Sequence, residues 1–270
     1  MRSLARTYRP GVLVLPLVLV AVSGCDIVTA DFRSQETAEW RKTYDLQPGG
    51  RVEISNVNGK IDVTPSTGNT VEVVAVKVAK AASPEAAKER LGRIDIVETV
   101  TASTVKLETK LARGGGGLFN MGGTEVRYTV KVPASAEVRL SNVNGGIETS
   151  GLSGRASLET TNGGIRAHDV AGPIEATTTN GGVDVDLARV AEPGVKLECT
   201  NGGIKLRLPA DAKGTVFASV TNGGIGLTPI EGMTVDTTES TRRRLEARLN
   251  GGGPSIRLEG TNGGIQIGPK

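Results

Sequence analysis

From Val138 to Ile267 apolar and polar positions alternate around a recurring phrase, Asn-Gly-Gly-Ile or a close variant. It begins at Asn144, Asn162, Asn180, Asn201, Asn222 and Asn262, with an earlier copy at Asn58. The intervals from Asn144 onward are 18, 18, 21, 21 and 40 residues, the last close to two turns of the same cycle. Aligned on the Asn, the columns six and four residues before it are apolar throughout, as in Val138 and Leu140 or Val195 and Leu197. Three residues after it stand Ile147, Ile165, Val183, Ile204, Ile225 and Ile265. Period-two alternation on both sides predicts two short strands per repeat, each with one buried face. Gly and Pro punctuate the far corners at Gly154, Gly172, Pro173, Pro193, Gly194 and Gly214, where glycine is expected to supply positive φ angles.

Two architectures fit. Asn-Gly between alternating strands is a hairpin signal that would give an antiparallel β-meander, whereas a parallel β-solenoid, or β-helix, of 18–21-residue rungs would stack like strands in register. The polar columns favour the solenoid. One residue after the Ile column come Glu148, Arg166, Asp184 and Lys205, which alternate in sign and would each face an opposite charge in a parallel stack; Glu175 and Lys196 form a second such pair.

Ahead of the repeats the pattern changes. Trp40 to Leu46 reads as a strand, Pro48-Gly49-Gly50 as a turn, and Arg51 to Val63 as a first repeat. Val71 to Ala79 is a long alternating strand. Ser83-Pro84-Glu85 predicts a helix with Ser as N-cap and Gly92 past its end. Strands follow near Ile94 to Val100, Thr104 to Leu111 and Glu125 to Val132. This block is expected to cap the first rungs or widen their sheets, because a bare solenoid end exposes unpaired strand edges.

The first residues carry Arg2, Arg6 and Arg9, then an apolar run from Gly11 to Val22 ending in Val22-Ser23-Gly24-Cys25. A basic segment before a short apolar one is a signal-peptide pattern, too short to span a bilayer. The tetrapeptide resembles a bacterial lipobox, which implies cleavage before Cys25 and lipid attachment to it; an ordinary signal peptide is the alternative. The expected organisation is a leader at 1–24, a tether at 25–39, an N-terminal rung and capping block at 40–137, and the repeat solenoid at 138–270. Without the leader, 270 − 24 = 246 residues remain, with 32 − 3 = 29 basic and 29 acidic side chains. A neutral mature chain gives no electrostatic ground for a nucleic-acid partner.

The order of these motifs resembles the bacterial “putative adhesin” domain family of unknown function: a Pro-Gly-Gly turn into Val52-Glu53-Ile54-Ser55-Asn56-Val57-Asn58-Gly59, a long strand and helix, Lys131-Val132-Pro133, then the Asn-Gly-Gly-Ile rungs. The resemblance implies a β-helical fold on the cell envelope and a non-enzymatic role, with some relatives linked to envelope-stress responses to membrane-active peptides. The segment Thr241 to Leu249 departs from the pattern and reads as an added hairpin or short helix.

Candidate chemistry is sparse. His168, the single histidine, stands beside Asp169 in a predicted corner but lacks a nucleophile in context. Cys199 falls in an inward column with Asn142, Thr160 and Thr178, as a small buried thiol would. Asp184 and Asp186 make no ligand set for a metal, and Gly114 to Gly117 lacks the Lys-Ser/Thr ending of a phosphate loop. No catalytic residue, cofactor or metal is expected. The remaining candidate contact is the glycine-flanked tip Leu118, Phe119 and Met121, either a partner surface or a lid on the core. The expected function is a lipid-anchored, adhesin-like binding or scaffold module for an envelope glycan, peptide or protein. A sensor of envelope stress and a polysaccharide-active β-helix enzyme are the alternatives.

Overall fold

The computed structural model describes residues 33–111 and 123–270, which are nearly all strand. In chain order come β1 (Ser34–Asp45), β2 (Arg51–Asn58), β3 (Ile61–Ser66), β4 (Thr70–Ala81), α1 (Pro84–Gly92), β5 (Ile94–Thr101), β6 (Thr104–Leu111) and β7 (Thr124–Pro133). The repeats supply β8 (Glu137–Asn144), β9 (Ile147–Ser150), β10 (Ala156–Asn162), β11 (Ile165–Val170), β12 (Ile174–Asn180), β13 (Val183–Leu187), β14 (Gly194–Asn201) and β15 (Ile204–Leu208). Last come β16 (Gly214–Asn222), β17 (Ile225–Leu227), β18 (Val235–Ser240), β19 (Arg244–Leu249), β20 (Ser255–Asn262) and β21 (Ile265–Pro269).

Each Asn-Gly corner carries the chain from one sheet to the other, and like strands stack in parallel and in register. Ala156 lies between Val138 and Ile174, and Ile165 between Ile147 and Val183. This is the solenoid; in the meander β10 would pair with β11, which instead lies in the other sheet. The apolar columns from the two sheets meet in one continuous core, where Val138, Ala156, Ile165, Leu206 and Ile265 are fully buried. The charged columns point outward. Parity alone therefore decides burial, as alternation on a pleated strand requires.

The stack does not follow the chain. Along the solenoid the order is β6/β7, then the rungs of Asn58, Asn144, Asn162, Asn180, Asn201, Asn262 and Asn222. The 40-residue interval is thus not two turns of the cycle. After β16 and β17 the chain makes the antiparallel hairpin β18–β19 against β16, then returns to lay β20 and β21 between the Asn201 and Asn222 rungs. At the other end β2 and β3 are flanked on one side by β6 and β7 and on the other by β8 and β9. The middle block both adds a rung and widens the sheets, with β4 and β1 extending one and β5 the other. Tyr128 on β7 is buried between them, and its hydroxyl meets Thr109 Oγ1 of β6 at 2.8 Å; burial pushes its pKa up to about 12.

Two boundaries differ from expectation. The strand expected at Trp40 starts at Ser34, inside the predicted tether, because β1 pairs with β4 from Ser34–Ala81 to Asp45–Thr70. Backbone pairing along a largely exposed edge needs no apolar pattern. Helix α1 has the expected cap, Ser83 Oγ accepting from Ala86 N at 3.2 Å, but Gly92 is its last residue and Arg93 its C-cap. Of the far-corner glycines Gly194 has the expected positive φ, at 128, whereas others serve another purpose. At Gly154 and Gly172 a Cβ would lie 2.1 Å from the carbonyl oxygen of Ala136 and of Gly154, so it is the approach of stacked rungs that demands glycine there.

Candidate functional site

The asparagines line one exposed edge as a ladder. Nδ2 of Asn144, Asn162, Asn180 and Asn201 each donates to Oδ1 of the preceding rung's Asn, and Asn262 donates to Asn201 and Asn222 to Asn262, all at 2.8–2.9 Å. A carboxamide has two N–H donors, and the ladder engages one of them. The two glycines after each Asn are not equivalent. A Cβ on the first, at Gly145, Gly163, Gly181, Gly202, Gly263 or Gly223, would lie 1.7–2.2 Å from the carbonyl oxygen of the first glycine in the preceding rung of the stack. On the second, at Gly146, Gly164, Gly182, Gly203 or Gly264, the nearest atom would be 3.3–3.5 Å away. The Asn58 rung itself carries Lys60 at the second position, its Nζ 2.6 Å from Glu148 and 3.1 Å from Asp62.

Behind the first glycines an inward donor satisfies the neighbouring rung. Thr160 Oγ1 donates to Gly145 O at 3.0 Å, Thr178 Oγ1 to Gly163 O at 2.9 Å, and Asn142 Nδ2 to Gly59 O at 2.7 Å. Cys199 belongs to this set, with Sγ 3.1 Å from Gly181 O, and burial pushes its thiol pKa up. These donors went unread in the sequence as a group, although their shared column was visible.

Because the second glycines have no side chain, they form the floor of a groove of about 430 Å³ running along the stack over Gly164, Gly182, Gly203 and Gly264. Its wall is the charged column, with Arg166 in register with Glu148 and Asp184, and Lys205 with Asp184 and Gln266. The ion pairs run diagonally. Asp184 is held by Arg207 at 2.6 Å and Glu148 by Lys60 at 2.6 Å, and the Lys60 hydrogen bond keeps the Glu148 carboxyl below its usual range. Arg207 also engages Asp186. Burial works to raise the Asp186 pKa, but hydrogen bonds from His168 and Arg207 outweigh it and hold the carboxyl low.

His168 therefore sits within β11, its Nδ1 2.9 Å from Asp186 Oδ2, and not in a corner with Asp169. Asp169 has φ 54 and takes Lys270 Nζ at 2.5 Å. A smaller cleft of about 180 Å³ lies on the other sheet, where Phe217 is 37 % exposed and the Arg257 guanidinium stands 5.9 Å from its ring. Cys25, Leu118, Phe119 and Met121 lie outside the described residues. Among the described residues no group of three His, Cys, Asp or Glu is placed to hold a metal ion. No helix among them is long and apolar enough to cross a membrane.

Solved structures of similar architecture include a “putative cell adhesion protein” from Clostridium sporogenes ATCC 15579, 13 % identical, covering 86 % of this chain and 100 % of that one with a TM-score of 0.46. Others are a “putative lipid binding protein” from Parabacteroides distasonis ATCC 8503 (11 % identity, 88 % and 98 % coverage, TM-score 0.34) and a “putative adhesin” from Bacteroides fragilis NCTC 9343 (12 % identity, 86 % and 97 % coverage, TM-score 0.27). At such identities none of those names passes to this chain. No curated protein matches it. The family model described as Toastrack DUF4097 matches residues 51–268, from the first rung through the last strand, and the chain belongs to that family.

Proposed function

We propose that the protein is a lipid-anchored, non-enzymatic module of the bacterial cell envelope that acts as an adhesin-like binder or scaffold. The observation that carries this reading is Val22-Ser23-Gly24-Cys25 at the end of a short apolar run, directly ahead of a rigid stacked domain. Eight rungs at about 4.8 Å each extend to about 35–40 Å. A stack of that length suits presentation of a surface away from a membrane. Some of its outward charges are engaged with one another, as at Arg51–Glu137, Lys196–Glu175 and Arg207–Asp184.

The test is fractionation of cells producing wild type and Cys25→Ser, followed by capture of envelope material on the detergent-solubilised wild type. Wild type is expected in the membrane fraction and Cys25→Ser in the soluble envelope fraction. A wild type that is soluble without detergent overturns the anchor. A wild type that retains no envelope component overturns the binding role.

A further inference from the structure

The groove beside the asparagine ladder holds two cations that no carboxylate among the described residues pairs at close range. Along its wall Asp184 is neutralised by Arg207 and Glu148 by Lys60, while Arg166 and Lys205 are exposed and have no ion pair within 4 Å among the described residues. Past Lys205 the column holds the neutral Gln266 and then Gly226. Arg166 and Lys205 thus stand two rungs apart, about 10 Å at a strand spacing of about 4.8 Å.

We propose that this groove binds an extended acidic glycan carrying one carboxylate or phosphate per disaccharide, its anions on Arg166 and Lys205 and its sugar rings over the glycine floor. The proposal rests on the envelope-binding reading and gives it a site and a ligand class. A pyranose advances along an extended glycan by about the distance between neighbouring strands, so a disaccharide spans two rungs. An extended peptide advances about 3.4 Å per residue and runs out of step with the rungs. The asparagine ladder runs along the same edge, and Asn162, Asn180 and Asn201 each put one N–H into it, which leaves their second for hydroxyl groups at the same repeat. The second glycines leave the floor open. They are spared side chains although the backbone there admits one, as Lys60 shows.

The experiment measures binding of the full-length protein in detergent to hyaluronan oligosaccharides, phosphomannan, dextran and poly-L-glutamate. Arg166→Gln/Lys205→Gln removes the charges, and Gly182→Gln fills the floor without changing charge. Thermal melts verify that both variants fold; should Gly182→Gln unfold, Gly182→Ser replaces it. The expected result is binding of at least one acidic glycan, its identity separating carboxylate from phosphate, with each variant at least tenfold weaker. Binding no stronger than to dextran, equal binding by both variants, or equal retention on poly-L-glutamate overturns the proposal. Envelope capture separates the two readings. If wild type and both variants capture envelope material alike, the binding role stands and the groove assignment falls. If wild type captures none yet binds the pure glycan through the groove, the groove stands and the envelope role falls.

Discussion

Between the Asn144 and Asn201 rungs, chain order and spatial order agree, and each rung repeats its neighbour down to the inward donor at Asn142, Thr160, Thr178 or Cys199. At the ends they part company. β20 and β21, the last strands of the chain, are flanked on both sides, and the exposed end is made by β16 to β19 instead. Lys270 N donates to Leu208 O, so the C-terminus is tied into the stack. Termini fray first in most domains; here the last two strands sit inside, and the open edges at that end of the stack belong to internal segments. Those edges are blunted. β17 has three residues, and β18 has a register shift between Thr237 and Glu239. The middle gains stability from uniform stacking and the ends from covering, so equivalent positions in the two regions should respond differently to the same substitution.

The largest difference is expected in the Ile column. Ile204 is 2 % exposed in the middle of the stack, whereas Ile225 on β17 is only partly buried. Ile204→Asp places an unpaired carboxyl in the core and should cost at least about 4 kcal/mol. Ile225→Asp should cost about 2, close to the lost burial of the side chain alone. Lys205→Ala, one residue along but outward, should cost under about 1. Denaturant titrations of the three variants check the order, and equal costs at Ile204 and Ile225 would erase the distinction between middle and end.

Next in size is the contrast between the paired glycines. Gly181→Ala drives a methyl to within 2.1 Å of Gly163 O, a backbone atom that cannot move without disturbing a rung, and should cost about 3 kcal/mol or more. Gly182→Ala meets only Gly203 O at 3.5 Å and should stay within about 1 kcal/mol. Similar melting temperatures for the two would contradict the stacking geometry at this edge.

Much of the middle was legible from residues alone because a parallel in-register stack copies sequence columns into space. The alternating charges Glu148, Arg166, Asp184 and Lys205 are register neighbours, and Ser83 caps its helix. The ends were not legible for the same reason. Ile256, Leu258, Ile265 and Ile267 carry the same apolar pattern as every other rung, so nothing in the columns says which slot they fill. Slot choice depends on the β18–β19 excursion, a tertiary matter. The edge strand β1 was missed in part because its stability comes from backbone pairing with β4, which polar residues make as well as apolar ones. At the candidate site the glycine pairs were visible, but which of the two is sterically required depends on carbonyl positions in the adjacent rung. The diagonal pairing of Arg207 with Asp184 and Asp186 depends on side-chain reach that column alignment does not encode.

A smaller effect tests the inward donors. Thr178→Val keeps shape but leaves Gly163 O without its side-chain partner, at a cost of about 1 kcal/mol. The end rung already has Val220 at this position, so Val220→Ala should report only lost packing. A double-mutant cycle between Thr178→Val and Cys199→Ala checks whether the middle donors act independently. Strong coupling would mean that the ladder behaves as one network and not as separate rungs.

The smallest expected difference is in acid. Glu148 and Asp186 both have carboxyls held below their ordinary range by partners on other rungs, Lys60 for the first, His168 and Arg207 for the second. A folded-state pKa below the unfolded value means that the native state binds fewer protons, so the stabilisation is complete above the unfolded values near 4 and is lost as pH falls through the lower folded ones. Side-chain exposures of 34 % for Glu148 and 16 % for Asp186 mean that solvent screens the first more strongly, and each should contribute under about 1 kcal/mol. Melting curves from pH 7 to pH 3 should therefore be flat down to about pH 5 and then fall. Glu148→Gln and Asp186→Asn should each make that fall shallower, with Asp186→Asn the larger because three rungs meet at its carboxylate through His168 and Arg207. A fall already complete above pH 5, or one unchanged in both variants, would mean that these cross-rung pairs do not hold the middle of the stack together.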